Sequence, residues 1–565
     1  MRHLYSVLTC IFLMVAIVRV VRMDRTLSQG FDEPCHVAAG MEWLDRHTYT
    51  LDAVHPLLAR YAITLPLYWA GERFPKFPSG DPRAYNYNDV GNAILGDGGH
   101  YKRNLLLARL GVLPFMCLGA MVLYLWTKRY LGNLAACLAV AFFTTTPSIL
   151  AFSGLAYNDL PAASLQLTFL CLLTLWLQRQ TWSMTFVLGL AAGLAVATKY
   201  TSLVFLTTST VAMLVCRWWL HDRSSAPSQT RLRSFAQLLA TGCIAMLVVW
   251  GTYGFSTGRV QETTGLSPGA MPSFQHFPAP VRGLARSAVL SNPRIPAPEI
   301  ISGFAEIWVA NRVGPSSYLY GHSRNGGWWF FFPVALALKT PLPVILLAIV
   351  GSVQLVFLAR RRGNCKVLMP LASAIAILCA AMAGRYNVGT RYLLIVVTLL
   401  CILAGFGGQF LWKYPQQRLG KAVFFTLLIW QVVVTMSARH DFIAYFNEIA
   451  PSDPSKALVV GCDLDCGEDL FRLADELRSR GVSQVRIAVW SSGDLADIGL
   501  PSYKVLQPFQ PVSGWIAISV RSKRMGHVLH QAYPPEGFSW LDNYRPVAEL
   551  DKTILIYHIP DIVRP

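Results

Sequence analysis

The chain has 565 residues, 53% of them hydrophobic and only 14% charged, with a mean hydropathy of +0.40; a soluble globular chain carries about 25% charged residues. That composition excludes a string of soluble domains and surrounds most of the chain with lipid or with other lipid-embedded helices. The formal charge of +18, from 49 basic against 31 acidic residues, would suggest nucleic acid for a soluble protein. Here the cations lie in short loops between apolar runs, so the orientation rule for membrane proteins replaces that reading, and no nucleic-acid partner is expected.

The first apolar run, Leu4–Val21, lacks a small-residue cleavage site and is accompanied by Arg19, Arg22 and Arg25. It reads as a retained first span and not as a signal peptide. Crossing about 30 Å of hydrocarbon takes roughly 20 apolar residues. By that measure about eleven spans are predicted, near 4–22, 105–126, 133–151, 160–178, 183–198, 201–219, 235–255, 332–358, 367–384, 391–411 and 421–438. With the N-terminus in the cytoplasm, every internal loop is basic: Lys128 and Arg129; Arg179; Arg217, Arg223, Arg231 and Arg233; Arg360, Arg361, Arg362 and Lys366; Lys413, Arg418 and Lys421. The loops 23–104 and 256–331 and the tail from about Arg439 then lie outside, in the plasma membrane of the cell. The loop 256–331 holds Trp308, Trp328 and Trp329 and reads as ordered at the membrane surface.

The tail changes character. Gln484–Trp490, Gly514–Val520 and Thr553–Ile559 read as buried strands, and Asp469–Arg480 and His527–Ala532 as helices. The predicted fold is therefore an all-α polytopic membrane module, 1–438, followed by a small extracytoplasmic α/β domain, 439–565. Most of the twelve cysteines lie singly in apolar runs as small apolar side chains. Cys462 and Cys466 are the one close pair elsewhere, spaced for a disulfide or a metal, with no second ligand pair beside them.

Chemistry-bearing residues gather on the outer face. Asp32 and Glu33 open the first external loop, where a carboxylate can act as general base, or can cap the helix that Pro34 starts. His55-Pro56 precedes a second short apolar helix, and Asp159 stands at the mouth of a span. Lys199, Arg385 and Arg391 with Tyr392 lie in external turns, the face that the orientation rule leaves poor in cations. They suit a lipid-linked phosphate or interfacial snorkelling. No phosphate-binding Gly-rich loop, HExxH motif or nucleophile elbow is present.

These motifs resemble the membrane glycosyltransferases of the GT-C superfamily, in particular the family 39-like branch with the protein O-mannosyltransferases and the lipid A aminoarabinose transferases. The resemblance runs through Phe31-Asp32-Glu33, His55-Pro56-Leu57, Asn158-Asp159, Lys199, Gly327–Pro333, Leu338-Lys339-Thr340-Pro341, Gly389-Thr390-Arg391-Tyr392, Ala444–Glu448 and Asp463–Leu470. It implies inverting transfer of a sugar from a polyprenyl-phosphate carrier to a glycan, lipid or protein acceptor. Asp32 would be the base, with Glu33 and Asp159 as further acidic site positions. His55, Lys199, Arg385, Arg391 and Tyr392 would bind substrate. Two or three nearby carboxylates are also the donor set of a divalent cation, which this branch need not use. The chain departs from the pattern at Leu57, where a second proline is common, and at Cys466 and Glu468, where bacterial members carry Trp and Gln. No β-trefoil-like domain of the eukaryotic O-mannosyltransferases is visible. The alternatives from other classes are a transporter or lipid flippase, which lacks its usual paired halves here, and a scaffold, which leaves the clustered charges unexplained.

Overall fold

The computed structural model describes residues 2–76, 82–219, 231–261, 279–414, 417–438, 441–529 and 531–560. The loop cation Arg223 and the expected start of the tail at Arg439 lie outside them. Among the described residues nine helices are long and apolar enough to cross a membrane: His3–Asp24, Tyr101–Leu131, Asp159–Trp176, Thr201–Trp219, Leu232–Thr252, Leu342–Arg362, Cys365–Met382, Thr390–Trp412 and Arg418–Ser437. The bent pair Asn133–Thr145 and Pro147–Gly154 is long and apolar enough only when its two helices are taken together, and the remaining expected segment, Trp182–Val196, is apolar but shorter. The protein is thus a multi-pass membrane protein. The first span shows why such helices belong in lipid: Leu4, Val7, Ile11, Met14, Val15 and Val18 form an exposed apolar stripe at helical spacing.

Two expected spans are broken, both at prolines. The segment 133–151 bends by 62° because Thr146, before Pro147, is extended at φ −81° and ψ 120°. The segment 332–358 divides into Phe331–Lys339 and Leu342–Arg362, with Thr340 extended before Pro341. In each case the proline ring disfavours helical geometry in the residue preceding it.

The loops are built structures. The loop 23–104 folds into helices Glu33–Arg46, Leu57–Trp69 and Tyr87–Gly96. The loop 256–331 carries helices Ala279–Ser291 and Pro298–Val313 and a hairpin of Ser316–Leu319 with His322–Asn325. The tail holds a five-stranded sheet in the order Ala548–Leu550, Ile554–Ile559, Gly514–Ser519, Gln484–Ala488, Ser502–Val505. Its first two pairings are antiparallel and its last two parallel. The three expected strands are all present, and the expected helix appears as Leu470–Ser479. The expected helix at His527–Ala532 is instead a tight hairpin of His527–Val528 with Gln531–Ala532; Gly526 and Leu529 take positive φ there, which turns the chain and stops a helix.

Close helix approach fixes the central pair of spans. A Cβ on Gly351 would lie 1.9 Å from the Leu403 carbonyl, and one on Gly407 would lie 2.0 Å from that of Leu347. Small residues allow this backbone contact, and within lipid such contact is a main source of helix association. Gly351→Val is expected to lower the thermal unfolding midpoint of the detergent-purified protein, at a cost of about 1–3 kcal/mol or more for overpacking. An unchanged midpoint would contradict this packing.

Candidate active site

A cavity of about 410 Å³ opens where the loops 23–104 and 256–331 meet the turn before the span Thr390–Trp412. Asp32, Asp52, His55, Tyr49, Tyr87, Glu299, Glu306, Tyr386 and Arg391 are among its lining residues. Of the residues singled out in the sequence, Asp32, His55 and Arg391 line it, whereas Glu33, Asp159, Lys199, Arg385 and Tyr392 do not.

Asp32 sits at the N-cap position of Glu33–Arg46, with Pro34 in the first turn, yet its side chain makes no capping bond. It accepts instead from Arg391 Nη1 at 2.6 Å. Its backbone N–H donates to the Tyr157 hydroxyl at 3.0 Å. Burial alone would raise the Asp32 pKa, but the opposing charge of Arg391 outweighs it and holds the carboxyl below its ordinary value.

Glu33 behaves differently. It is wholly buried and paired with the equally buried Arg109. Arg109 Nε and Nη2 donate to the two carboxylate oxygens at 2.9 and 2.8 Å. The other guanidinium donors go to the carbonyls of Asp24, Leu27 and Ser28 at 3.0, 3.1 and 2.8 Å, so all five N–H groups are used. Glu33 also accepts from the backbone N–H of Gly30 at 2.6 Å and of Ala156 at 2.7 Å.

A second arginine hub escaped the sequence reading. Arg60, fully buried in the helix Leu57–Trp69, pairs with Asp52. It also donates to His36 Nδ1 at 3.1 Å and to the Tyr49 hydroxyl and the Asp52 carbonyl at 2.6 Å, and lies 3.2 Å from His55 Nδ1. Burial opposes ionisation of Asp52, but the Arg60 charge prevails and drives its pKa far down. His36 is pushed below its ordinary value by burial and then by Arg60. One signal for Arg60 and Arg109 was present: each is an ionisable residue inside an apolar run.

Across the cavity, the helix Pro298–Val313 contributes Glu299 and Glu306, both raised in pKa by burial. Asp159 pairs with Lys199, whose ammonium stands 5.5 Å over the Tyr392 ring. Tyr392 in turn stacks on Phe332 at 5.5 Å. Arg385 is exposed, at 3.5 Å from the Arg312 carbonyl. Among the described residues no three or more His, Cys, Asp or Glu side chains form a metal-ligand group.

The tail packs against the turns that carry Asp32 and Arg391. Cys462 and Cys466 form a disulfide, and the Tyr157 hydroxyl lies 3.1 Å from Cys466 Sγ. Phe31 N–H donates to the Cys466 carbonyl at 2.8 Å, and the Phe31 ring stacks on Trp490 at 3.9 Å. Asp463 accepts from the Thr390 N–H and hydroxyl at 2.9 and 2.5 Å, which sets the turn carrying Arg391. Gly389 enters that turn at φ 90°, a conformation that favours glycine. Lys339 Nζ donates to the Ile443 carbonyl at 2.7 Å and to that of Asp463.

Residues 102–251 match the family model of dolichyl-phosphate-mannose-protein mannosyltransferase. This bears out the sequence's resemblance to membrane glycosyltransferases of the GT-C type. No curated protein sequence matches the chain. Among solved structures, ArnT from Cupriavidus metallidurans bound to undecaprenyl phosphate is similar at 13% identity and a TM-score of 0.48, over 97% of each chain. The oligosaccharyltransferase of Archaeoglobus fulgidus in its apo form is similar at 11% identity and 0.43, over 91% of this chain and 70% of that one.

The two adjacent acids should lose very different amounts of stability on neutralisation. Glu33→Gln breaks a fully buried pair and is expected to cost about 3–5 kcal/mol. Asp32→Asn breaks a pair whose side chains are 28% and 17% exposed, and should cost about 1 kcal/mol or less. Thermal unfolding of both variants in the same detergent checks this; equal losses would contradict it.

Proposed function

We propose that the protein transfers a sugar from a polyprenyl-phosphate carrier to an acceptor on the outer face of the membrane, with inversion at the anomeric carbon and Asp32 as general base. The observation that carries this reading is the Asp32–Arg391 pair on the cavity wall: a carboxylate kept ionised by the cation that can also meet the leaving phosphate. The matched family is itself named for a dolichyl-phosphate-linked sugar.

In this scheme the acceptor's nucleophilic oxygen or nitrogen attacks the anomeric carbon from the side opposite the phosphate. The bond from that carbon to the phosphate oxygen breaks, and its electron pair leaves with the carrier. The acceptor proton passes to Asp32. Arg391 moves from the carboxylate toward the phosphate as negative charge develops there, which stabilises the leaving group and makes Asp32 more basic as it takes the proton. Asp159 positions Lys199, whose ammonium is a second cation for the carrier phosphate. Glu33, locked to Arg109, positions the turn that aims Asp32 and does not itself touch substrate. Arg60 and Asp52 set the floor beside His55, and Glu299 and Glu306 offer acceptors for sugar hydroxyls. The module 1–438 carries the chemistry, and the tail, 439–565, lies on the same external side.

The test is release of polyprenyl phosphate from a panel of polyprenyl-phosphate sugars by purified protein, with glycan, lipid and peptide acceptors. Wild type is expected to release the carrier with at least one donor, and Asp32→Asn to lose about two to four orders of magnitude in turnover while staying folded. Undiminished turnover in that variant would overturn the assignment of the base.

A further inference from the structure

The interior arginines of this protein are almost all matched. Arg60 and Arg109 spend their donors on carboxylates, carbonyls and side chains. Arg391 holds Asp32, and Arg472 gathers Asp441, Asp469 and Asp551. Among the described residues Arg521 of the tail differs from these. It lies in the short helix Val520–Met525 that follows the strand Gly514–Ser519. Its Nε is enclosed and has no hydrogen-bond partner. Among the described residues its side chain enters no ion pair and donates no hydrogen bond.

Its surroundings hold one nearby carboxylate, Asp465, whose Oδ2 is enclosed and does not bond to the guanidinium. The Arg521 guanidinium lies 4.1 Å over the Trp490 ring, and His527 packs on the same ring at 5.3 Å. The Trp490 Nε1 donor and His527 Nδ1 are likewise enclosed without partners. The nearest opposing charge, Asp465, stays beyond ion-pair distance and uses Oδ1 on the Gly467 N–H at 2.9 Å. Burial, reinforced by the like charge of Arg391, pushes the Arg521 pKa down to about 10 against the pull of Asp465 and Asp32. A half-buried cation whose Nε is enclosed without a partner and whose nearest carboxylate does not pair with it is short of an acceptor, which an anion would supply.

The location says which anion. Trp490 stacks face to face on Phe31 at 3.9 Å with an interplanar angle of 5°, and Phe31 is the residue before Asp32. The charge of Arg521 is felt at Asp32, and that of Arg391 at Arg521. Of the two carboxylates that act on Arg521, Asp32 is held by Arg391 and Asp465 stays beyond pairing distance, so neither forms an ion pair with it. We propose that Arg521, carried by the tail on its Trp490 platform, is a binding residue for the phosphate monoester of the polyprenyl carrier, shared with Arg391. This rests on the glycosyl-transfer reading above. The planar guanidinium suits the oxygens of a phosphate, and the indole N–H of Trp490 supplies a further donor. The tail then contributes a residue to the donor site.

The experiment is equilibrium binding to the full-length protein in nanodiscs, with three probes: a polyprenyl phosphate, the polyprenol of equal length, and inorganic phosphate as competitor. Wild type is expected to bind the polyprenyl phosphate at least tenfold more tightly than the polyprenol. Arg521→Gln should weaken polyprenyl phosphate binding tenfold or more and leave the polyprenol unchanged; Arg521→Lys should recover part of the loss, and Trp490→Phe should lose less than Arg521→Gln. Wild-type preference for the phosphate that survives in Arg521→Gln overturns this proposal and leaves the glycosyl-transfer reading standing. So does loss of inorganic phosphate competition alone, which would assign Arg521 to another phosphate. Absence of any phosphate preference in the wild type overturns both. Equal loss of both lipids would mark Arg521 as merely structural and also overturn the proposal.

Discussion

The buried pair of Glu33 with Arg109 is the constraint on which the site depends. An unpaired charge at that depth would be expensive, and a pair is tolerable only when its remaining donors and acceptors are satisfied. Here they are, through three carbonyls of the turn after the first span and two backbone N–H groups. The satisfaction of those groups fixes residues 24–33 against the second span and the Ala156 turn. Asp32, one residue away, inherits its position from that turn, and its carboxylate is left free to face the cavity and Arg391.

The rest of the assembly follows the same logic of few allowed partners. The tail motif Asp463–Leu470 reaches the first loop through Phe31 and Ser28 and the Arg391 turn through Asp463. The side chain of Asn447 ties the break after Phe331–Lys339 by donating to the Ala337 and Thr340 carbonyls at 2.5 and 2.7 Å. Breaking a span at Pro341 frees carbonyls that water cannot reach in the membrane, so another side chain must take them. Motifs far apart in the chain therefore meet around one turn, and the tail is part of the site's frame.

Much of this was legible in the sequence. Apolar runs and loop charges gave the helical segments, because hydrocarbon admits little else. Adjacent acids beside a span marked Asp32. The broken spans were missed because hydropathy averages over Pro147 and Pro341, though each carries the local signal of a bend. The division of labour between Asp32 and Glu33 was not readable, since it depends on Arg109, 76 residues further along. Arg60 was overlooked as a lone cation in an apolar helix, and nothing in the periodicity of the tail distinguishes Arg521 from a surface residue. Arg385 looked equivalent to Arg391 in the sequence but lies exposed, because the turn between them points the two side chains to different surroundings.

The central claim is that Arg391 holds Asp32 as an ionised base, and the pH dependence of single-turnover sugar transfer tests it most directly. Arg391 lowers the Asp32 pKa, so activity requiring the carboxylate is present above that pKa and lost as pH falls through it. Replacing Arg391 by Gln removes the lowering charge. The acid limb of the profile should then move to higher pH in the variant, with the residual rate still abolished by Asp32→Asn. An acid limb at the same pH in wild type and Arg391→Gln would contradict the account, because the titrating base would then be a group that Arg391 does not touch.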